Sequence, residues 1–310
     1  MLVPIWMTCG PLASFLVYDA RVQEKKTHIG ILLFLAALGF ITIIDTGAKY
    51  MTADLPPLVL VWGYFLGIFA SVCVLALTKG SHLPQEISSR RLVLHFGRAG
   101  LLVASISFAF IALRFMTLAD VTAISFTAPL FITVLAVLFL GEKVDRARWL
   151  AVLVGLAGVL IVVRPGSGLL SWGSLLPLLT ALTFAGFQIV TRLIAMTENT
   201  FATLFYTGLF GLIWSSLALP FVWQSPHTWH WLAFLMQGAL GVAAHLCMIK
   251  AFSLAEASLL APFNYSKLIW ATVAGYIVFG NVPTWNTLAG ASVIALAGLF
   301  IMMHERRKHE

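Results

Sequence analysis

The chain has 310 residues, 60% of them hydrophobic and only 10% charged, against about 25% charged residues in an ordinary soluble domain. Charges at this density cannot cover a water-facing surface, so most of the surface must meet lipid. The formal charge of +7 is spread along the chain without a basic stripe, which argues against nucleic acid as a partner. Three scattered cysteines, Cys9, Cys73 and Cys247, argue against a disulfide framework, a redox pair or a metal site.

Residues 1–27 begin with the apolar run "MLVPIW" without a basic stretch ahead of it, so they read as an interfacial or disordered cytoplasmic tail rather than a cleaved signal peptide. Apolar runs near the roughly 20 residues needed to cross a bilayer then recur at about 28–50, 57–78, 92–113, 118–140, 147–164, 171–194, 199–223, 229–250, 256–279 and 285–303. The expectation is an all-α integral membrane protein of ten transmembrane helices with short connections, closed by a basic tail at 304–310. With the N-terminus in the cytoplasm, fourteen of the nineteen lysines and arginines fall in cytoplasmic loops and tails. Lys49, Arg114 and Arg164 fall on the far side, and Arg98 and Lys267 lie inside spans. That bias predicts both termini inside and accounts for the positive charge.

The chain also repeats itself. "ALRFMTLADVTAI" (112–124) answers "MIKAFSLAEASLL" (248–260), and "LFLGEKVDRARW" (138–149) answers "IVFGNVPTW" (277–285) with a shorter loop. Two five-helix halves follow, 28–164 and 171–303. Five is odd, so the halves thread the membrane in opposite senses. Inverted repeats are the architecture of many secondary transporters, with substrate near the midplane between the halves.

These residues resemble the drug/metabolite transporter superfamily, EamA-type, over nearly the whole chain. The resemblance rests on "FTAPLFITVLAVLFLGEKV" (126–144), "GLAGVLIVVRPG" (155–166), "APFNYSKLIWATVAGYIVFGNVP" (261–283), "LAGASVIALAGL" (288–299) and "DTGAKYM" (45–51). It implies alternating-access transport of small metabolites across an inner membrane, as in amino-acid exporters and uptake systems for flavins or S-adenosylmethionine. It also implies a monomer containing an internal pseudo-dimer, because spans 5 and 10 correspond to the dimer-forming helix of shorter relatives. Two departures stand out: Asn281 replaces a common glutamate, and "VWGYFLG" in span 2 lacks an arginine that many relatives carry.

A charge at a helix centre costs roughly 2.5–3.5 kcal/mol on the insertion scale, so the polar residues inside spans mark candidate sites. Lys267 sits near the middle of span 9, with Asn264 and Trp270 three residues to either side and on one helical face. It is expected to meet a substrate carboxylate in a wet central cavity, the alternative being neutralisation by a neighbouring helix. Asp45 in span 1 either pairs with Lys49 one turn on, binds a substrate ammonium, or titrates as a coupling proton site. His245 is a second candidate proton relay.

Gln188, Ser125 and Trp62 complete the expected substrate-binding set. Tyr64 and Tyr206 are aromatic candidates for a cavity wall or for ordinary packing. Thr42, Thr46, Thr122, Thr133, Thr180, Thr183 and Thr191 form stripes at helical spacing, as do Gln237, Ser105 and Arg98, although a lone Ser or Thr most often bonds its own helix. Asp120 and Glu256 match across the repeat and suit the positive end of a helix dipole.

No HExxH, GxSxG, deep acid pair or nucleotide-binding loop is present, which disfavours an intramembrane enzyme or an ATP-driven pump. No cofactor, metal or catalytic residue is expected. The functional expectation is transport of amino acids or their derivatives, with export preferred. The alternative is uptake of a flavin- or nucleoside-like metabolite, S-adenosylmethionine included.

Overall fold

The computed structural model describes residues 10–52, 54–78, 82–112, 124–163, 175–280 and 285–309. Among them every regular element is helical. The first half contains α1 (Gly10–Met51), α2 (Pro57–Leu77), α3 (Leu92–Ala112), α4 (Ala128–Leu135, prolonged by a π-turn over Ala136–Leu140) and α5 (Arg146–Val163). The second contains α6 (Leu175–Ala195), α7 (Thr200–Ser216), α8 (Thr228–Leu254), α9 (Ser266–Phe279) and α10 (Trp285–His309). Short helices at Leu83–Glu86 and Leu219–Val222 serve the loops.

Among the described residues, five helical stretches are long and apolar enough to cross a membrane: Lys26–Met51, Pro57–Leu77, Leu92–Ala109, Leu175–Ala195 and Thr228–Leu254. Ala128–Leu140 and Leu288–His304 are shorter apolar helices. Outward faces carry Val74, Leu77, Val93, Phe139, Leu232 and Ile277, all well exposed, as a lipid-facing surface requires.

Helix ends follow local chemistry. Pro57 opens α2, where its missing N–H costs nothing. The Asn199 side chain accepts the Phe201 amide at 2.8 Å to cap α7. Gly141 and Gly280 end the π-turn and α9 in the left-handed region, at φ 66° and 67°, a conformation that penalises any side chain.

Two boundaries differ from expectation. Helix α1 begins at Gly10, so much of the expected tail is helical and continuous with the first span. Span 9 is broken: Ala257–Leu260 is α-helical, Ala261–Tyr265 is a 3₁₀ turn, and only then does α9 start. Pro262 has no N–H to return to the helix behind it, and the chain tightens there. Pro129 lies in the first turn of α4, where a proline is tolerated.

Packing obeys an exchange rule. Helix α1 packs chiefly on α8 and α6 on α3; α9 packs on α1 and α4 on α6; α2 meets α7 and α5 meets α10. A shift of five helices turns each contact into its partner or into itself, as a two-fold relation between two units would. Glycines permit the closest crossings. Gly67 of α2 lies against Gly238 of α8 backbone to backbone, and Gly158 of α5 lies against the Gly290 carbonyl of α10, the small-residue contact that membrane helices use.

Candidate functional site

The most buried charge in the described chain is Arg98, 1% exposed on α3. Its Nε donates to Thr191 Oγ1 on α6 at 2.8 Å and its Nη1 to Thr207 Oγ1 on α7. Both hydroxyls spend their own hydrogens on their helices, Thr191 on the Phe187 carbonyl and Thr207 on the Thr203 carbonyl, each at 2.6 Å. Their lone pairs are therefore left for the guanidinium. The Arg98 Cζ lies 4.7 Å from the centre of the Phe187 ring, a cation–π contact.

His245 of α8 meets the same ring edge-on at 6.1 Å, and its Nε2 is 3.3 Å from the Tyr64 hydroxyl on α2. Gln188, the residue after Phe187, is fully buried and donates to Asn264 Oδ1 at 2.8 Å. Tyr64, Arg98, Phe187 and His245 thus form one polar and aromatic cluster, with Gln188 and Asn264 as a separate buried pair. Its Tyr64–His245, Arg98–Thr191 and Arg98–Thr207 bonds join the first half of the chain to the second.

A second polar region contains the residues on which the sequence put most weight. Lys267 Nζ lies 2.7 Å from Asp45 Oδ2, with the two side chains 38% and 54% exposed. Asp45 therefore takes its cation from α9, 222 positions along the chain. Asn264, Lys267 and Trp270 differ sharply in burial. Asn264 belongs to the 3₁₀ turn and is buried, whereas Lys267 is half-buried and Trp270 is 41% exposed beside Gly39 of α1.

Other candidates scatter. Trp62 packs edge-on against Trp223 and Trp231. Ser125 has a buried hydroxyl without a partner. Gln237 donates to the Ile44 carbonyl of α1 at 3.3 Å, and the Tyr206 hydroxyl donates to the Ile87 carbonyl at 3.0 Å. Thr42, Thr46, Thr133, Thr180, Thr183 and Thr191 all bond their own helices, while Ser105 reaches across to the Thr180 carbonyl at 3.2 Å. Thr122, Asp120 and Asn281 lie outside the described residues.

A third charged region ties the α4–α5 connection to the second half. Glu142, next to the left-handed Gly141, accepts the Ala257 and Ser258 amides at 2.9 Å each. Two carboxylates thus sit at the start of that short helix: Glu256 is its N-cap residue but makes no side-chain cap bond, and Glu142 accepts the amides. Glu256 instead pairs with Arg148, which also donates to Ser258 Oγ at 2.9 Å. Arg192 lies 3.9 Å from Glu142 and donates to the Phe252 carbonyl. Asp145 and His304 meet at 2.9 Å.

Sequence reasoning recorded Arg98 as polar without making it a site residue. A signal was present, since the neighbours one turn away, Leu94, His95, Leu101 and Leu102, offer no acid. An apolar cleft of about 350 Å³ lies elsewhere, lined by Leu58, Val103, Trp214 and Ser215 among others. It contains none of the charged groups described above.

Comparison with known proteins agrees with this architecture. A solved crystal structure that is 19% identical superposes with a TM-score of 0.73, covering 92% of this chain and 99% of that one, and so shares its fold. An S-adenosylmethionine uptake transporter of Rickettsia bellii is 28% identical over 91% of this chain and 96% of its own length. A riboflavin transporter of Vibrio cholerae is 31% identical over 77% and 81%, and a pseudopaline exporter of Pseudomonas aeruginosa is 25% identical over 86% and 94%. The family model of EamA-like transporters matches residues 28–164 and again 171–303. The chain is a multi-pass membrane transporter of small metabolites and belongs to the EamA-like transporter family.

Proposed function

We propose that the chain takes up an amphoteric, ring-bearing metabolite of the S-adenosylmethionine class across a bacterial inner membrane, with both termini cytoplasmic and two oppositely threaded five-helix halves alternating around the substrate. The observation that carries this reading is the buried Tyr64–Arg98–Phe187–His245 cluster, because its polar bonds cross from one half to the other. A seam held by hydrogen bonds can exchange them for bonds to a ligand, and flat rings beside a charge suit a molecule with a base at one end and an amino acid at the other.

The relatives support uptake of nucleoside- or flavin-like cargo rather than the amino-acid export expected from the sequence. On this reading Glu142, Arg148, Arg192 and Glu256 close the cytoplasmic end, and the half-exposed Asp45–Lys267 pair lies toward the outer mouth. Asp45 and His245 remain the candidate proton-coupling groups.

The test is uptake of radiolabelled S-adenosylmethionine and riboflavin into proteoliposomes of purified protein. Saturable accumulation of S-adenosylmethionine, competed by the unlabelled compound, is expected. Riboflavin accumulation without S-adenosylmethionine uptake would favour the second reading, a flavin carrier, which the Vibrio cholerae relative supports. Uptake of neither compound would reject both.

A further inference from the structure

We propose that Arg98 receives an anionic group of the substrate, a carboxylate for cargo of the amino-acid-bearing nucleoside kind, and thereby selects molecules that carry a carboxylate over counterparts that lack it. This assignment deepens the uptake reading and rests on it.

The argument is an accounting of donors. A guanidinium carries five N–H groups and accepts nothing. The Arg98 Nε and Nη1 are used on Thr191 and Thr207, while its Nη2 has no partner although it is buried. Among the described residues no carboxylate pairs with it. Asp45 is held by Lys267, Glu142 by the Ala257 and Ser258 amides, and Glu256 by Arg148.

Burying one unpaired charge costs several kcal/mol. If Arg98 served only to join α3 to α6 and α7, a neutral amide could make the same two bonds without that cost. A cation kept in the seam gains its compensation when an anion arrives.

The surroundings fit such a guest. The hydroxyls of Thr191 and Thr207 orient the guanidinium, so the direction of the free Nη2 is set before binding. His245 shares the Phe187 ring with Arg98, and its Nδ1 also lacks a partner. In the tautomer in which the Tyr64 hydroxyl donates to Nε2, Nδ1 carries a hydrogen. Two unused donors then belong to side chains that share the Phe187 ring, and a carboxylate has two oxygens to accept them.

The experiment measures binding of matched probes to purified wild-type protein by calorimetry. The pairs are S-adenosylmethionine with its decarboxylated form, and methionine with its methyl ester. The carboxylate member of a bound pair should bind about 10- to 100-fold more tightly, the range expected for a hydrogen bond to a charged group. In Arg98→Gln the ratio should fall to about threefold or less, and Arg98→Lys, which keeps the charge and loses the fork, should fall between. The wild-type ratios need no variant to fold.

Equal binding within the pairs, a ratio retained in R98Q, or no response to either acid overturns the assignment. Discrimination between methionine and its ester, lost in R98Q and without any response to S-adenosylmethionine, upholds the Arg98 role while rejecting the proposed cargo. Riboflavin uptake without acid preference does the reverse: it keeps a flavin carrier and removes the anion receptor.

Discussion

The chain treats its two intramembrane cations in opposite ways. Lys267 is half-exposed and neutralised by Asp45 at 2.7 Å. Arg98 is 1% exposed, cradled by two hydroxyls and a ring, and without a counter-ion among the described residues. A compensated pair in a partly open position contributes little net free energy. A buried, uncompensated charge costs stability in the empty protein and has most to gain from a ligand. Lys267 is the more conspicuous residue in the sequence, yet Arg98 is the anion receptor proposed above.

That contrast can be broken at either end. The largest effect is expected from Arg98→Leu, which should lower the uptake kcat/KM for S-adenosylmethionine by about 100-fold or more, since truncating one side of a buried charged contact costs about 2–5 kcal/mol. Uptake within threefold of wild type would put Arg98 on a par with the exposed pair. An intermediate effect is expected from Thr191→Val combined with Thr207→Val. Loss of both acceptors leaves the charge but frees its orientation, so KM should rise about tenfold while the protein remains folded by circular dichroism. An unchanged KM would mean that the hydroxyls do not position the guanidinium.

The smallest effect is expected for the Asp45–Lys267 pair. Asp45→Asn and Lys267→Gln should each lower the melting temperature slightly, and the double variant should recover most of the loss, with a coupling of about 0.2–1 kcal/mol. A much larger coupling would show that this pair, despite its exposure, holds the two halves together.

The spans that could be read most directly were those in which hydropathy and helix coincide. Residues 57–78 became Pro57–Leu77, and 229–250 lies within Thr228–Leu254. The break at Ala261–Tyr265 was harder to see, because an uninterrupted apolar run looks the same whether its backbone closes on the third or the fourth residue. Pro262 was the available clue. Long-range partners were beyond reach for a different reason. Periodicity reports which residues share a face, but nothing local records that Asp45 would find Lys267 or that Glu142 would reach two amides of another helix. Arg98 was legible in part, as a charge with no acid one turn away; that its companions would be Thr191, Thr207 and Phe187 required the fold.

The contact between Gly67 and Gly238 has a consequence for dimensions. Tyr64 precedes the first glycine by three residues, and His245 follows the second by two helical turns, so the phenol and the imidazole inherit their 3.3 Å spacing from a crossing built without side chains. Gly241 extends that clearance, since a carbon added there would press on the Tyr64 ring and hydroxyl. A single methyl at any of the three would act as a shim, and its first casualty would be the width of the aromatic gap rather than any atom that carries charge.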